Sequence, residues 1–267
     1  MVNRAKNTPF FAIQTIGKRD EQEDSYGICY DFQPKSSPVP NCFVLADGMG
    51  GHSGGKVASQ IAIDSVKLVV EDCDSFDERT LRDSLSAANL NIAECVKLNS
   101  ELEGMGTTLV VLTIIGDNAF WVSVGDSPLL SLDNNHELRL LNEDHSMRPV
   151  LDKLVESGVL EKDNPEYQKK VSQLRSALTG DNIELYDLNS AGVSLAESKY
   201  LVLSSDGLDT LSREEVKNVM VANAKKGPKA IASELINAID KKGSPKQDNT
   251  TLIVIDPLAY RKAKMII

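Results

Sequence analysis

The sequence predicts an α+β domain in which layers of antiparallel β-sheet are flanked by helices. Three strand-like apolar runs between about 107 and 132 are separated by the turns Gly116-Asp117 and Gly125-Asp126, which is typical of an antiparallel meander. Two stretches before them, at about 55–72 and 77–99, have apolar residues at helical spacing. We expect these helices to cover a sheet.

The other elements follow in chain order. Two short strands are predicted around a charged turn between residues 8 and 32, and the strand at 42–46 leads into a glycine-rich loop. A polar segment from 142 to 190 has the character of an insertion lying over a surface, with short helices predicted at 148–157 and 166–176. The closing elements are predicted as a strand at 199–205, helices at 213–224 and 228–241, and a strand at 250–255.

Length and composition indicate one folded domain of enzyme size. The chain has 267 residues, 41% of them hydrophobic, and no Pro-, Ser- or Gly-rich linker divides it, so we expect a single domain over 1–267. Its 39 acidic residues outnumber 29 basic ones. Because nucleic acids and membrane surfaces attract basic faces, this composition argues against both as partners. We expect a monomer.

Cysteine usage and the N-terminus favour a cytoplasmic location. The four cysteines, Cys29, Cys42, Cys73 and Cys95, are widely spaced and form no C-x-x-C pair, which is typical of reduced thiols that act as small core residues. The N-terminus lacks the apolar stretch of a signal peptide, and no run approaches ~18 apolar residues.

Acidic residues stand at the ends of several strand-like runs. Asp47-Gly48 ends one run, Asp206-Gly207 ends another, and Asp248-Asn249 directly precedes a third. A carboxylate at the end of a buried strand is held in place by a rigid element, and several converging carboxylates make a site for hard cations. The candidate metal ligands, all oxygen donors, are Glu23, Asp24, Asp47, Asp126, Asp206 and Asp248.

Such a donor set favours Mg²⁺ or Mn²⁺. So many carboxylates could not stay ionised together without cations, because like charges at short range raise each other's pKa. Two cations about 3.5–4 Å apart would resolve the repulsion and generate a hydroxide for attack on phosphorus. Taken singly, Asp24, Asp126 or Asp248 could instead be a turn residue or a helix cap.

Eight short motifs, in order along almost the whole chain, carry a resemblance to a known family. They are Gly17-Lys18-Arg19 to Gln22-Glu23-Asp24, Val44-Leu45-Ala46-Asp47-Gly48-Met49-Gly50-Gly51-His52, Gly106-Thr107-Thr108, Val124-Gly125-Asp126-Ser127, Glu143-Asp144-His145-Ser146, Ala177-Leu178-Thr179-Gly180, Leu203-Ser204-Ser205-Asp206-Gly207-Leu208 and Gln247-Asp248-Asn249-Thr250-Thr251. The sequence resembles the metal-dependent protein phosphatases of the PPM family, also called type 2C, which remove phosphate from phosphoserine and phosphothreonine. The Asp-Gly-Met-Gly-Gly-His form is similar to the bacterial branch.

The resemblance implies a fold and a metal centre. The fold is a central β-sandwich of two antiparallel sheets with helices on both outer faces, and the metals lie at one end of the sandwich. Two tightly bound Mn²⁺ or Mg²⁺ ions would be bridged by Asp47, with the Gly48 carbonyl completing the shell of one. Asp206 and Asp248 would hold one ion.

The remaining site residues are implied in the same way. Glu23 and Asp24 would serve the other ion directly or through waters, and Asp126 with Asp206 would support a third, weaker ion. Arg19 would grip the substrate phosphate, for which a guanidinium fork is geometrically suited. Its alternative role is that of a surface arginine paired with a neighbouring acidic residue, Asp20 or Glu21.

Two positions depart from the family pattern. Pro128 follows Gly125-Asp126-Ser127 where the family has Arg, and because a proline fixes its φ and removes a donor, the turn is expected to differ. Met49 stands where eukaryotic members have a histidine proposed as general acid, so the acid is unassigned. His52 is the nearest imidazole, and we expect a structural role for it. His145 is expected to stabilise the turn before the insertion.

The resemblance implies that phosphorylated proteins are the substrates, with a Ser/Thr kinase and its targets as partners. Residues 146–190 fall where the family carries a flap that shapes substrate choice. Two other function classes stay open: a catalytically silent relative that binds phosphoproteins, and a two-metal hydrolase of nucleotides or small phosphoesters. The retained Arg19 and carboxylates argue against a silent relative. A comparison of the hydrolysis rates of a phosphopeptide and a nucleotide would distinguish a protein phosphatase from a small-phosphoester hydrolase.

Overall fold

Two antiparallel β-sheets form the centre of the fold in the computed structural model, which describes residues 8–30, 42–51, 54–73 and 76–264. The strands are β1 (Phe10–Thr15), β2 (Asp24–Cys29), β3 (Cys42–Met49), β4 (Gly106–Thr107), β5 (Leu109–Ile115), β6 (Asn118–Val124), β7 (Leu129–Asp133), β8 (Leu138–Leu140), β9 (Asp187–Ser194), β10 (Ser198–Ser204) and β11 (Thr250–Ile255). The first sheet has the order β1-β11-β10-β7-β8. The second has the order β2-β3-β5-β6-β9, with β4 beside β3.

Helices cover both outer faces of the sheets. The described helices are α1 (Gly54–Glu71), α2 (Glu78–Leu98), α3 (Arg148–Glu156), α4 (Pro165–Lys170), α5 (Arg213–Asn223), α6 (Pro228–Lys242) and α7 (Pro257–Lys264). Of these, α1 and α2 cover the second sheet, and α5 and α6 cover the first. Their ends follow ordinary capping rules. Asp77 begins α2 and Ser212 begins α5, each with a reciprocal capping box, and Gly243 ends α6 in the left-handed conformation.

Side-chain alternation along the strands divides the core into layers. On β3, Phe43 and Leu45 face the first sheet, while Val44 and Ala46 face α1 and α2. A separate apolar layer, which includes Val202, lies between the first sheet and the helices α5 and α6. Because both faces of the central strands are buried, their sequences are continuous apolar runs. The structure confirms the predicted sandwich with helices on both faces.

The predicted meander between 107 and 132 is wrong. β5 and β6 do form an antiparallel hairpin, but β7 lies in the other sheet, where it pairs with β10 and β8. The chain crosses between the sheets at Gly125, whose φ of +97° suits glycine, and the carbonyl of Pro128 accepts a hydrogen bond from the Ser204 amide at 3.1 Å. The turn that looked like a hairpin connection is therefore a crossover between sheets.

Several polar elements were not predicted. The strands β8 and β9 and the helix α7 carry few apolar residues in a regular pattern, and α4 ends at Lys170 instead of 176. The expected role of His52 falls outside the described residues. Of the four cysteines, Cys29 and Cys42 are buried in the core, while Cys73 and Cys95 are partly exposed. In the part of the chain that the structure describes, no helix is long and apolar enough to cross a membrane.

Candidate metal and phosphate site

The strand ends bring the predicted carboxylates to one end of the sandwich. Asp24 begins β2 and lies directly opposite Asp47 near the end of β3. Asp206 follows β10, Asp248 precedes β11, and Asp126 follows β6. Both sheets therefore contribute to the site, which explains why its residues are far apart in sequence.

A cleft of about 600 Å³ opens at this end. All but one of the predicted site residues line it, namely Arg19, Glu23, Asp47, Gly48, Asp126, Asp206 and Asp248. Asp24 lies behind the cleft wall. The other lining residues are Met49, Gly50, Thr108, Ser172, Gln173, Leu174 and Asn249. Three of these come from the predicted flap, which therefore forms one wall.

Asp24 is a buried carboxylate held by hydroxyl groups from the other sheet. Its Oδ2 accepts hydrogen bonds from Ser205 Oγ at 2.7 Å and Thr251 Oγ1 at 2.8 Å. Its Oδ1 is buried and has no hydrogen-bond partner among the described residues. Burial raises the pKa of Asp24 to about 6, although the two hydroxyl donors oppose that rise.

Four further carboxylates, those of Glu23, Asp47, Asp126 and Asp206, have raised pKa values. Burial is the largest cause in each, and it raises the pKa of Asp126 and of Asp206 to about 7. The pKa of Asp47 lies well above its usual range because of burial and the charges of Asp24 and Asp206. The buried set cannot be fully ionised at neutral pH without a positive counter-charge.

This donor chemistry fits divalent cations, but the carboxylates do not converge on one point. The described residues contain no group of three or more His, Cys, Asp or Glu side chains arranged to hold a metal ion. The predicted carboxylates except Asp24 thus line one cleft, but they do not form a coordination shell. The ligand assignment stays a prediction.

Arg19 lies in the cleft and contacts a predicted metal ligand. Its Nη2 donates to Asp248 Oδ2 at 2.5 Å, and both side chains are partly exposed. This bond is the main reason that the pKa of Arg19 is raised. The ion pair is with Asp248 and not with Asp20 or Glu21, the partners considered for a surface arginine. The guanidinium thus lies in the cleft but is engaged by Asp248.

Asn249 and Thr108 are supporting residues to which the sequence analysis assigned no role. Asn249 Oδ1 accepts from the Glu23 amide at 2.8 Å, and its Nδ2 donates to the carbonyls of Ile16 and Glu21 at 2.9 and 3.0 Å. The Asp47 amide donates to Thr108 Oγ1 at 3.0 Å. Both residues belong to the eight motifs given above. Their polar side chains beside apolar runs are the sequence signal that could have identified them.

The glycine loop lets backbone approach the acidic residues closely. A Cβ on Gly48 would overlap the Gly55 carbonyl and lie 2.6 Å from the Glu23 carbonyl. A Cβ on Gly55 would lie 2.6 Å from Glu23 Oε1. Any side chain at either position would push Glu23 away from the cleft.

His145 fixes the turn that carries Asp126. Its Nδ1 accepts from the Gly125 amide at 3.2 Å, and its own amide donates to the Gly125 carbonyl at 3.0 Å. Burial lowers the pKa of His145, so the imidazole is neutral near pH 7. This confirms the expected structural role. Beside the same turn, Arg148 from α3 donates to Asp209 at 2.9 Å and so links the flap to the loop after β10.

Comparison with known proteins places this architecture in a family. The family model described as protein phosphatase 2C matches residues 24–252. The serine/threonine protein phosphatase PstP of Mycobacterium tuberculosis is 32% identical over 219 residues, which cover 81% of this chain and 40% of that protein. The serine/threonine phosphatase stp of Listeria welshimeri is 28% identical over 258 residues, which cover 92% of this chain and 94% of that protein.

A solved structure supports the same grouping. The catalytic domain of PstP in complex with two manganese ions superposes with a TM-score of 0.72 at 29% identity, covering 92% of this chain and 96% of that one. The chain therefore belongs to the protein phosphatase 2C family. It spans less than half the length of the mycobacterial relative but nearly all of the Listeria one.

Proposed function

We propose that this chain hydrolyses phosphoserine and phosphothreonine in proteins and requires Mn²⁺ or Mg²⁺. The observation that carries the proposal is the set of buried carboxylates with raised pKa values in one cleft beside a single arginine. Family membership supports it, as does the presence of two manganese ions in the PstP structure. A carboxylate-lined cleft without bound cations would repel a phosphate group, so the substrate and the ions must be bound together.

The proposed ligands are those that the family resemblance implies, and all of them except Asp24 line the cleft. Asp47 lies between the two sheets and would bridge both ions, with the Gly48 carbonyl beside it. Asp206 and Asp248 would complete the coordination of one ion, and Glu23 and Asp24 would complete that of the other. When bound, such a pair of ions supplies a hydroxide nucleophile for attack on phosphorus. The protein's part is to hold the acceptor oxygens in place and to orient the phosphate.

Asp24 acts from behind the cleft. Ser205 and Thr251 occupy its Oδ2, so its unpartnered Oδ1 is the atom left to face an ion or an ion-bound water. Asp126, with Asp206, would hold the third, weaker ion. The buried turn contacts of His145 leave that imidazole no access to the cleft, so the general acid is not assigned to it.

Arg19 would bind the phosphate oxygens. In the structure its guanidinium neutralises Asp248. If Asp248 held an ion, the Arg19 guanidinium would be left to bind the substrate phosphate. Binding of the ions and capture of phosphate are therefore expected to be coupled through Asp248.

The test is hydrolysis of a phosphothreonine peptide by protein depleted of metal with EDTA. We expect no turnover until Mn²⁺ or Mg²⁺ is added, and full recovery on addition. Full activity after exhaustive dialysis against EDTA would contradict the proposal. Faster hydrolysis of nucleotides than of phosphopeptides would favour a small-phosphoester hydrolase, and no turnover with bound phosphopeptide would favour a silent relative. The opposing kinase, a monomeric state and the cytoplasmic location stay predictions.

A further inference from the structure

The cleft continues into a groove along the surface. A second cavity of about 280 Å³ shares the lining residues Met49 and Leu174 with the cleft. A third cavity of about 400 Å³ shares Asn182 with the second and reaches the exposed face of α2. The two additional cavities, here called the side groove, have no role in the proposed metal chemistry.

The floor of the side groove is held in place by the second sheet and by α2. The buried Leu178 exchanges two backbone hydrogen bonds of 2.9 Å with Thr107. Gly180 has φ of +88°, and a Cβ there would lie 2.7 Å from the backbone of α2. Asn89 on α2 accepts from the Gly180 amide at 2.9 Å and donates to the Asp181 carbonyl at 2.7 Å. The side groove is therefore a preformed surface.

Its middle section carries one carboxylate without a partner. Glu184 lines the second cavity, and its side chain is exposed with no hydrogen bond or ion pair among the described residues. Arg175 lines the same cavity but directs its guanidinium to the carbonyls of Ser146 and Asp144, at 2.8 and 3.3 Å. A basic side chain of a bound molecule would find Glu184 available.

The far section is apolar on one side. Leu90 on α2 is 59% exposed and lines the third cavity together with Ile183. Arg82 donates to the Tyr186 hydroxyl at 3.0 Å, which orients the ring at the rim. An exposed leucine in a concave, preformed surface is a typical contact for an apolar side chain of a partner.

We propose that the side groove binds the polypeptide of the phosphoprotein substrate beside its phosphorylated residue, with a basic side chain at Glu184 and an apolar one at Leu90. The inference rests on the proposed phosphatase function, because the side groove opens into the cleft that would hold the phosphate. An extended chain advances about 3.3–3.6 Å per residue, so a chain that follows the side groove would place its residues beyond the phosphorylated one in the second and then the third cavity. The enzyme would thereby read sequence outside the phosphorylated residue.

The test compares substrates that do and do not fill the side groove. p-Nitrophenyl phosphate reaches the cleft alone, whereas long phosphothreonine peptides with Lys or Glu flanks, on either side, reach the side groove. The variants are Glu184→Lys and Leu90→Asp. Matched controls are Glu94→Lys and Leu98→Asp, which are exposed on α2 and line none of the three cavities.

We expect Leu90→Asp to lower kcat/KM for the long peptides about three- to tenfold, and Glu184→Lys to reverse the preference for Lys over Glu flanks. Hydrolysis of p-nitrophenyl phosphate should be unchanged in every variant, and the controls should match wild type on all substrates. Equal effects of groove and control variants, or no dependence of wild type on peptide length and charge, would overturn the proposal. Wild type that hydrolyses p-nitrophenyl phosphate but no phosphopeptide would instead overturn the proposed protein phosphatase function.

Discussion

The two ends of the β-sandwich are filled by opposite kinds of side chain. At one end the ring of Phe43 packs against Phe10, with centroids 5.3 Å apart, and against Tyr260, with centroids 6.0 Å apart. At the other end the same strand, β3, presents Asp47 to Asp24 and to the carboxylates of the cleft. Only three residues along one strand thus separate an aromatic core from an acidic site.

The contrast shows how burial can act in opposite directions within one domain. Burying the aromatic rings removes apolar surface from water and stabilises the fold. Burying carboxylates costs free energy unless they are paired, and here the cost appears as raised pKa values. The aromatic end is therefore expected to supply stability that the acidic end lacks in the absence of cations.

The largest effect is expected at the acidic end. Asp47→Asn and Asp206→Asn should each lower turnover of a phosphothreonine peptide by more than about 1,000-fold, equivalent to ~4 kcal/mol. Because each removes a buried carboxylate whose ionised form is disfavoured by burial and by its acidic neighbours, the metal-free melting temperature should rise. Calorimetry and kinetics check both results, with Asp64→Asn on the exposed face of α1 as control. Near-wild-type activity of either variant at saturating Mn²⁺ would show that the ligand map is wrong.

The aromatic end should respond in stability. Phe43→Ala should lower the free energy of unfolding by about 3–5 kcal/mol, because it leaves a cavity beneath two rings. Leu98→Ala, at an 88% exposed position, should change it by less than about 0.5 kcal/mol. Urea unfolding measures both. If the two variants were equally stable, the aromatic cluster would not be the source of stability that the comparison assigns to it.

Arg19 tests whether phosphate capture can be separated from metal binding. Arg19→Ala should lower kcat/KM about 10- to 100-fold, since a charge-assisted contact to phosphate is lost. Mn²⁺ affinity should be unchanged or tighter because Asp248 loses a competing partner. Calorimetric titration beside steady-state kinetics decides, with the 87% exposed Arg79→Ala as control. Lost metal binding with unchanged kinetics per metallated enzyme would mean that Arg19 is structural.

Asp126 tests whether the crossover between sheets also serves catalysis. Asp126→Ala should preserve the two tight ions and lower turnover about tenfold, because a separate ion can orient a water or help protonate the leaving group. Wild-type activity should keep rising at Mn²⁺ concentrations above those that fill the first two sites. If activity showed a single saturable dependence on Mn²⁺ and the variant were as fast as wild type, the turn would have only a structural role.

The smallest effect concerns pH. The pKa values of Asp24, near 6, and of Asp126 and Asp206, near 7, lie above the ordinary 3.8. Folded metal-free protein therefore retains protons that the unfolded chain has lost, and these groups lower stability as pH rises from about 4 to 7. We expect a higher metal-free melting temperature near pH 5.5 than near pH 7.5. Saturating Mn²⁺ should remove this difference in melting temperature, and Asp206→Asn should reduce it. If neither changed the dependence of the melting temperature on pH, the assignment of the raised pKa values to these carboxylates would be contradicted.

Much of the frame could be predicted from local pattern alone. Buried strands such as β3 and β11 are continuous apolar runs, and α1 and α2 have apolar residues at helical spacing, so their existence follows from short-range sequence. The carboxylates at strand ends, Asp47 and Asp206, were visible for the same reason. The polar strand β9 had no such signal, because its pairing with β6 at an edge depends on the neighbour and not on its own hydrophobicity.

The sequence by itself determined which residues are the candidate metal and phosphate ligands, since oxygen donors in ordered motifs at the ends of apolar runs limit the choice. Only the tertiary structure decided which of them meet. Ser205 and Thr251 bond to Asp24 from 181 and 227 residues away, β7 joins the opposite sheet from the one its turn suggested, and Arg19 lies on Asp248. Contacts of that kind depend on how both sheets pack over a common core, and no local periodicity specifies such packing.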